Sequence, residues 1–212
     1  MTTRIIIVGA GGHAQVVADI LLRRQQSGDK IALAGYVDDN PKLASQRFLD
    51  RPVLGTVAQL DQFDYDALII AIGDNEIRKQ LFQQLRGQGK RFITAIHPQA
   101  VIAPDVVVGK GAMICAGVVV NTGATIGANT ILNTACSVDH HNHIGDHCHI
   151  APGAHLGGEV TVGNEALIGI GATIMPRCHI GTAAIVAAGA TVTGDVSAHQ
   201  TVAGTPARPL QE

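Results

Sequence analysis

From Ile102 to Val192 every sixth residue is isoleucine, leucine or valine, sixteen positions in succession without an insertion: Ile102, Val108, Ile114, Val120, Ile126, Leu132, Val138, Ile144, Ile150, Leu156, Val162, Ile168, Ile174, Ile180, Val186 and Val192. A helix repeats its faces about every 3.6 residues and a strand about every 2, so neither produces a period of six. Three six-residue sides closing one triangular turn do produce it. Each aliphatic then points inward and stacks on its equivalent one turn further on. This is the pattern of a parallel β-helix built from hexapeptides. Its length is about five coils, on the order of 25 Å at one strand spacing per coil. The residue after the aliphatic is often glycine (Gly109, Gly127, Gly145, Gly157, Gly163, Gly169, Gly181), read as a corner where glycine relieves backbone strain.

The composition changes near Ala95, which predicts two domains, residues 1–97 and 98–212. Most of the charge and most of the helix formers lie in the first. Arg4 to Val8 reads as a buried strand and is followed by Gly9-Ala10-Gly11-Gly12-His13-Ala14. A helix is expected over His13 to Gln26, a second strand over Ile31 to Val37 ending in Asp38-Asp39-Asn40-Pro41, and a third over Ala67 to Ile72 ending in Gly73-Asp74-Asn75. A second helix over Glu76 to Arg86 and a strand over Arg91 to Ile96 complete the alternation of a small Rossmann-like α/β unit. Gly9-x-Gly11-x-x-Ala14 has the form of a dinucleotide fingerprint, in which glycines let the backbone approach a phosphate at a helix N-terminus. A dinucleotide fold needs a second half that this length does not supply, so a single nucleotide suits the unit better. A tight turn without a ligand is the alternative, and Asp38 and Asp39 are then turn residues before Pro41.

The net charge is −2 and aromatic residues make up 3% of the chain. Neither a basic stripe nor an aromatic platform points to nucleic acid. The first residues lead directly into a strand and no long apolar run is uninterrupted, so a cytoplasmic protein without membrane contact is expected. Cys136, Cys148 and Cys178 share an inward phase with a series of alanines and read as small hydrophobes, not disulfide partners. Histidines gather at His140, His141, His143, His147, His149, His155 and His179. His143, His149 and His155 fall on three different faces, so they do not converge on a metal, whose ligands lie about 2 Å from the ion. No metal is expected. His140 instead sits where other repeats carry Pro104, Lys110, Asp146, Pro152 and Asn164, an outward phase in which it is available for chemistry or is simply a surface turn residue.

These residues carry a resemblance that covers nearly the whole chain. The Gly9–Ala14 turn, Asp38-Asp39, Ile70 to Lys79, Asn133-Thr134, Val138-Asp139-His140 and Val202 to Arg208 together resemble the sugar O-/N-acyltransferases, which include sialic acid O-acetyltransferases. Within that family the match is closest to the enzymes that N-acetylate bacillosamine precursors and perosamine. The resemblance implies a left-handed β-helix, a homotrimer, and acetyl-CoA as co-substrate. It also implies transfer of acetyl to the 4-amino group of a UDP- or dTDP-linked 4-amino-4,6-dideoxy sugar. His140 matches the family's general base. Gly11, Gly12, His13, Asp38, Asp39 and Gly73 match the nucleotide-sugar site, with Asn133 shaping the acceptor. His149, Gly158, Ile170 and Ala188 fall where acetyl-CoA lies.

The family usually has an acidic residue directly after the base, and His141 stands there instead. A charged His141 would weaken the base; a neutral one can orient it, and Asp139 or an acid from another subunit is the alternative. O-acetylation of sialic acid or another hydroxyl is the competing activity. A nucleotide-sugar sensor without catalysis, or a purely structural β-helix, is the competing class.

Overall fold

The computed structural model describes residues 1–210. The chain divides into two compact units, Met1–Pro98 and a second that begins at Gln99.

The first unit is built on a five-stranded sheet. Its strands are β1 (Thr3–Val8), β2 (Ile31–Val37), β3 (Arg47–Phe48), β4 (Arg51–Gly55) and β5 (Ala67–Ile70), in the order β3-β4-β2-β1-β5. All neighbours are parallel except β3 and β4. Strand β1, flanked by β2 and β5, buries Ile5, Ile6, Ile7 and Val8 completely, as a strand covered on both faces must. Helix α1 (Gly12–Gln26) buries Ala14, Val17, Ala18 and Leu21, and α2 (Asn75–Gly87) buries Arg78, Phe82 and Leu85, the spacing of one helical face. Connections reverse direction between β1 and β5. Ligands of open α/β sheets collect beyond the carboxyl ends of strands at such a point.

Two details depart from the expected elements. The strand expected over Arg91 to Ile96 is reduced to one bridge, Leu68 to Phe92, and a two-residue strand at Ala95–Ile96. The β3–β4 hairpin was not expected. Its turn is Leu49-Asp50, both with positive φ (49° and 58°), a conformation that usually selects Asn-Gly or Asp-Gly.

The second unit is the left-handed parallel β-helix. Its two-residue strands stack in register at intervals of eighteen residues on three faces. Val101, Val119, Ser137, His155, Thr173 and Thr191 form one column. Val107, Thr125, His143, Thr161 and His179 form the second. Met113, Ile131, His149, Leu167 and Ile185 form the third. The interval then shortens, with Ile185 paired to Thr201, which is where the run of aliphatics ends. The inward aliphatics from Ile114 onward are all buried, as are Cys136, Cys148 and Cys178 in their alanine slot, and Cys115.

The glycines after the aliphatics do a different job from the one expected. They lie before the corner, and a Cβ there would collide with the next coil, at 2.5 Å from the Ala128 nitrogen for Gly109 and 2.6 Å from that of Thr182 for Gly163. They permit close coil-to-coil approach. The left-handed backbone falls two residues later, on the second corner residue, where His141 has φ 56°.

Candidate functional site

The end of β1 and the start of α1 form the first cluster. Gly11 takes the N-cap position of α1 with no side-chain cap, and the first turn carries no acidic residue. The amides of Gly12 and His13 therefore lie at the positive dipole end of α1. Gly11 and Gly12 are exposed and His13 half-buried. Among the described residues, no atom outside the local chain comes within 4 Å of a Cβ placed on Gly11, Gly12 or Gly73. Gly9 differs: it has φ 101°, and a Cβ there would lie 3.1 Å from the Ala71 carbonyl oxygen.

Asp38 and Asp39 lie at the end of β2 and are both committed to backbone. Asp38 accepts from the Ala10 amide at 2.8 Å through one oxygen and from the Asn40 amide at 2.8 Å through the other. It ties the glycine turn to the neighbouring strand. Asp39 accepts from the Val57 amide at 2.9 Å. The Gly73 turn is held from beneath by Arg78, fully buried, whose guanidinium donates to the carbonyls of Ile72 (3.0 Å) and Gly73 (3.2 Å) and to Asn75 Oδ1 (2.7 Å). Asp74 caps α2 by accepting from the Ile77 amide. Arg78 has no role in the sequence reading; the signal was a charged residue on the apolar stripe of α2.

The second cluster is on the β-helix. His140 and His141 are the two residues of one corner, both exposed. Their Nδ1 atoms lie 3.1 Å apart, and the rings meet edge to face with centroids 5.3 Å apart. One Nδ1 must donate and the other accept. Gly158 sits one coil above His140, and a Cβ on it would fall 2.6 Å from His140 Nε2. Gly123, one coil below His141, would place a Cβ 2.7 Å from the His141 ring. Each imidazole thus lies over a glycine. Asp139 accepts from Asn121 Nδ2 and from the His140 amide, both at 2.8 Å. Those two bonds, the Asn121 one foremost, and the charge of His140 hold its carboxyl below the usual carboxylate range.

A third group occupies a different corner. Asn133 Nδ2 lies 3.1 Å from His149 Nε2. Ile170 and Ala188 are the exposed corner residues above, in register at one-coil steps. Within one chain the structure brings Gly158 to His140, and brings Asn133 to His149. It does not bring Ile170 or Ala188 to His140, because their corner is another edge of the prism. His143, His149 and His155 do lie on three separate faces. Among the described residues, no group of three or more His, Cys, Asp or Glu is arranged to hold a metal ion. No described helix is long and apolar enough to cross a membrane.

Residues 4–85 match the PglD N-terminal domain, and residues 159–194 match the bacterial transferase hexapeptide (six repeats). The chain is 38% identical over 113 residues to UDP-N-acetylbacillosamine N-acetyltransferase of Bacillus subtilis, a match over about half of each protein (51% of this chain, 50% of the relative). A histidine-to-asparagine variant of perosamine N-acetyltransferase from Caulobacter crescentus, in complex with CoA and GDP-perosamine, superposes with a TM-score of 0.91 at 36% identity, over 98% of this chain and 97% of that one. The acetyltransferase domain of PglB from Neisseria gonorrhoeae, in complex with acetyl coenzyme A, superposes with a TM-score of 0.91 at 32% identity, over 99% of this chain and all of the other (100%). With a PglD-type domain leading into hexapeptide coils and full-length likeness to these structures, the chain belongs to the sugar O-/N-acyltransferase family.

Proposed function

We propose that this protein is an N-acetyltransferase that moves the acetyl group of acetyl-CoA onto the 4-amino group of a nucleotide-linked 4-amino-4,6-dideoxy sugar. The observation that carries it is the His140–His141 pair, with one Nδ1 held by the other at 3.1 Å. With His140 donating from Nδ1, its Nε2 keeps a lone pair at an exposed corner. Nε2 takes a proton from the amine as the nitrogen attacks the thioester carbonyl carbon. The tetrahedral oxyanion collapses, the C–S bond breaks, and the proton returns from His140 to the CoA thiolate. Amide and free thiol leave. His141 does the orienting done elsewhere in the family by an acid. It strengthens the base less, which an amine nucleophile tolerates because positioning supplies most of the rate.

The nucleotide diphosphate is assigned to the α1 N-terminus and the glycine turn, through Gly11, Gly12 and His13. Asp38 shapes that turn, Asp39 fixes the following loop, and Gly73 borders the pocket. Asn133 shapes the acceptor end. Acetyl-CoA is assigned to His149, Ile170 and Ala188, with Gly158 as the floor beneath His140. Because Ile170 and Ala188 stand on a different edge from His140, a complete groove needs edges from two copies, which supports a homotrimer. The solved relatives widen the choice of nucleotide to GDP as well as UDP and dTDP. A cytoplasmic location follows from these substrates.

The test is thiol release from acetyl-CoA with GDP-, UDP- and dTDP-linked 4-amino sugars and with free sialic acid. Release with a nucleotide sugar is expected and identifies the base. Release with sialic acid alone would replace N-acetylation by O-acetylation. Silence with all four would overturn the activity.

A further inference from the structure

Asn142 is the buried polar group that the chemistry above leaves unused. It sits in an inward column whose other members are Val106, Ala124, Val160, Cys178 and Val196, and it is fully buried. Its Nδ2 donates to the carbonyl of Asp139 at 2.7 Å and to that of Gly157 at 2.8 Å, with a long contact to the His140 carbonyl at 3.5 Å. All these partners are acceptors, which fixes the nitrogen end of the amide toward them. Its Oδ1 is buried and has no hydrogen-bond donor among the described residues.

Such an atom is unfavourable in a closely packed interior, and the other levels of the column are filled by valine, alanine and cysteine. The coil stack therefore does not itself require asparagine here. What distinguishes this level is what the two strongly bonded carbonyls precede. Asp139 comes directly before His140. Gly157 comes directly before Gly158, the glycine against which the His140 ring lies. The His140 carbonyl in turn accepts from the Glu159 amide at 2.9 Å.

We infer that Asn142 is a positioning residue for His140, tying the peptide before the base to the peptide before its glycine floor and so fixing the imidazole between Gly158 and His141. The inference rests on His140 being the base. It explains why a buried polar atom is kept in the core at this coil: local packing is sacrificed where a rotamer must be held.

The experiment compares Asn142→Ala, Asn142→Ser, His140→Ala and the double variant His140→Ala with Asn142→Ala. It measures kcat, KM for each substrate, Tm, and imidazole ¹⁵N resonances. Asn142→Ala is expected to lower kcat about ten-fold or more, with both KM values within about two-fold. Asn142→Ser keeps one donor and is expected to recover part of the loss. In the His140→Ala background the second substitution is expected to cost less than about two-fold, since a residue acting only through His140 has nothing left to position. The His140 resonances of the wild type should report one dominant tautomer protonated at Nδ1, moving toward an averaged mixture in Asn142→Ala. Unchanged kcat in folded Asn142→Ala, an equal loss in both backgrounds, or unmoved imidazole resonances would each overturn the inference. If Asn142→Ala does not fold, Asn142→Ser faces the same comparisons. If the wild type transfers no acetyl group, the reading of His140 falls separately, and the imidazole resonances still decide the role of Asn142.

Discussion

Gly158 and His140 must be considered together, because a methyl group on one occupies the space of the other. Gly158→Ala is expected to push the imidazole off its floor and lower kcat by about ten-fold or more. The Tm should change little, since the atom displaced is the end of a side chain on an exposed corner. Steady-state kinetics and a melting curve on the same preparation check both halves. His140→Ala should cost about 100-fold or more in turnover, the usual contribution of a general base, while calorimetric affinity for both substrates persists. At this scale the sequence was informative about residues that face outward. His140, Ile170 and Ala188 stand exposed at corners, as their shared phase suggests, while Gly158, in the same phase, is buried under the His140 ring. Asn142 was legible in principle, as the lone asparagine in a phase otherwise of alanine, cysteine and valine with one threonine, Thr130, yet its meaning depends on which carbonyls it reaches across a coil. Asp38 matches the family's nucleotide site by resemblance and a turn residue by its neighbours; both its oxygens hold backbone amides, one of them across twenty-eight positions, a bond that no local pattern encodes.

Elements were legible in proportion to how strictly their period was kept. The hexapeptide phase placed every coil strand from Val101–Ile102 to Thr191–Val192, because each side repeats the same steric problem. The β3–β4 hairpin escaped because its turn carries Leu49-Asp50 and its second strand contains Pro52, both signals against a strand. The glycine turn after β1 is held in shape from β2, so its function should fail without its fold failing. Asp38→Ala is expected to raise KM for the nucleotide sugar about ten-fold or more, leaving KM for acetyl-CoA within about two-fold. Equal effects on both constants would place Asp38 outside the nucleotide site. The coils predict the opposite sensitivity: one residue inserted between Asn164 and Ala166 turns every later inward aliphatic by one step and should abolish soluble expression. The same residue added to the exposed loop at Ser45 should be tolerated.

For the whole molecule, the four thiols give a sharp readout of packing. Burial pushes Cys115 and Cys136 up to about 12, and Cys178 is also raised, burial again being the main cause. A thiol reagent at pH 8 is expected to modify almost none of the four cysteines in the native protein and all four after denaturation. The linkage runs toward alkali. Unfolded thiols ionise near pH 8.5 and these folded ones do not, so the unfolded state gains from deprotonation first. Stability should be intact below about pH 8.5 and fall as the pH rises from there toward 12, a trend that denaturant titrations across that window would reveal. His140 and Ile170 share a six-residue phase but not an edge of the prism, since only positions eighteen apart share an edge.

The stack also has a direction in which it comes apart. Each coil touches only the one before and the one after, so stability in this unit is a nearest-neighbour sum. The corner that bears His140 has Thr122 and Gly123 below it and Gly158, Pro176 and Gly194 in sequence above. Opening from the last coil must therefore strip Gly194 and Pro176 before it loosens Gly158. Amide exchange should record this as a gradient, fastest near Thr201 and slowest around Ile150, with the chemistry carried on the part of the spring that uncoils last.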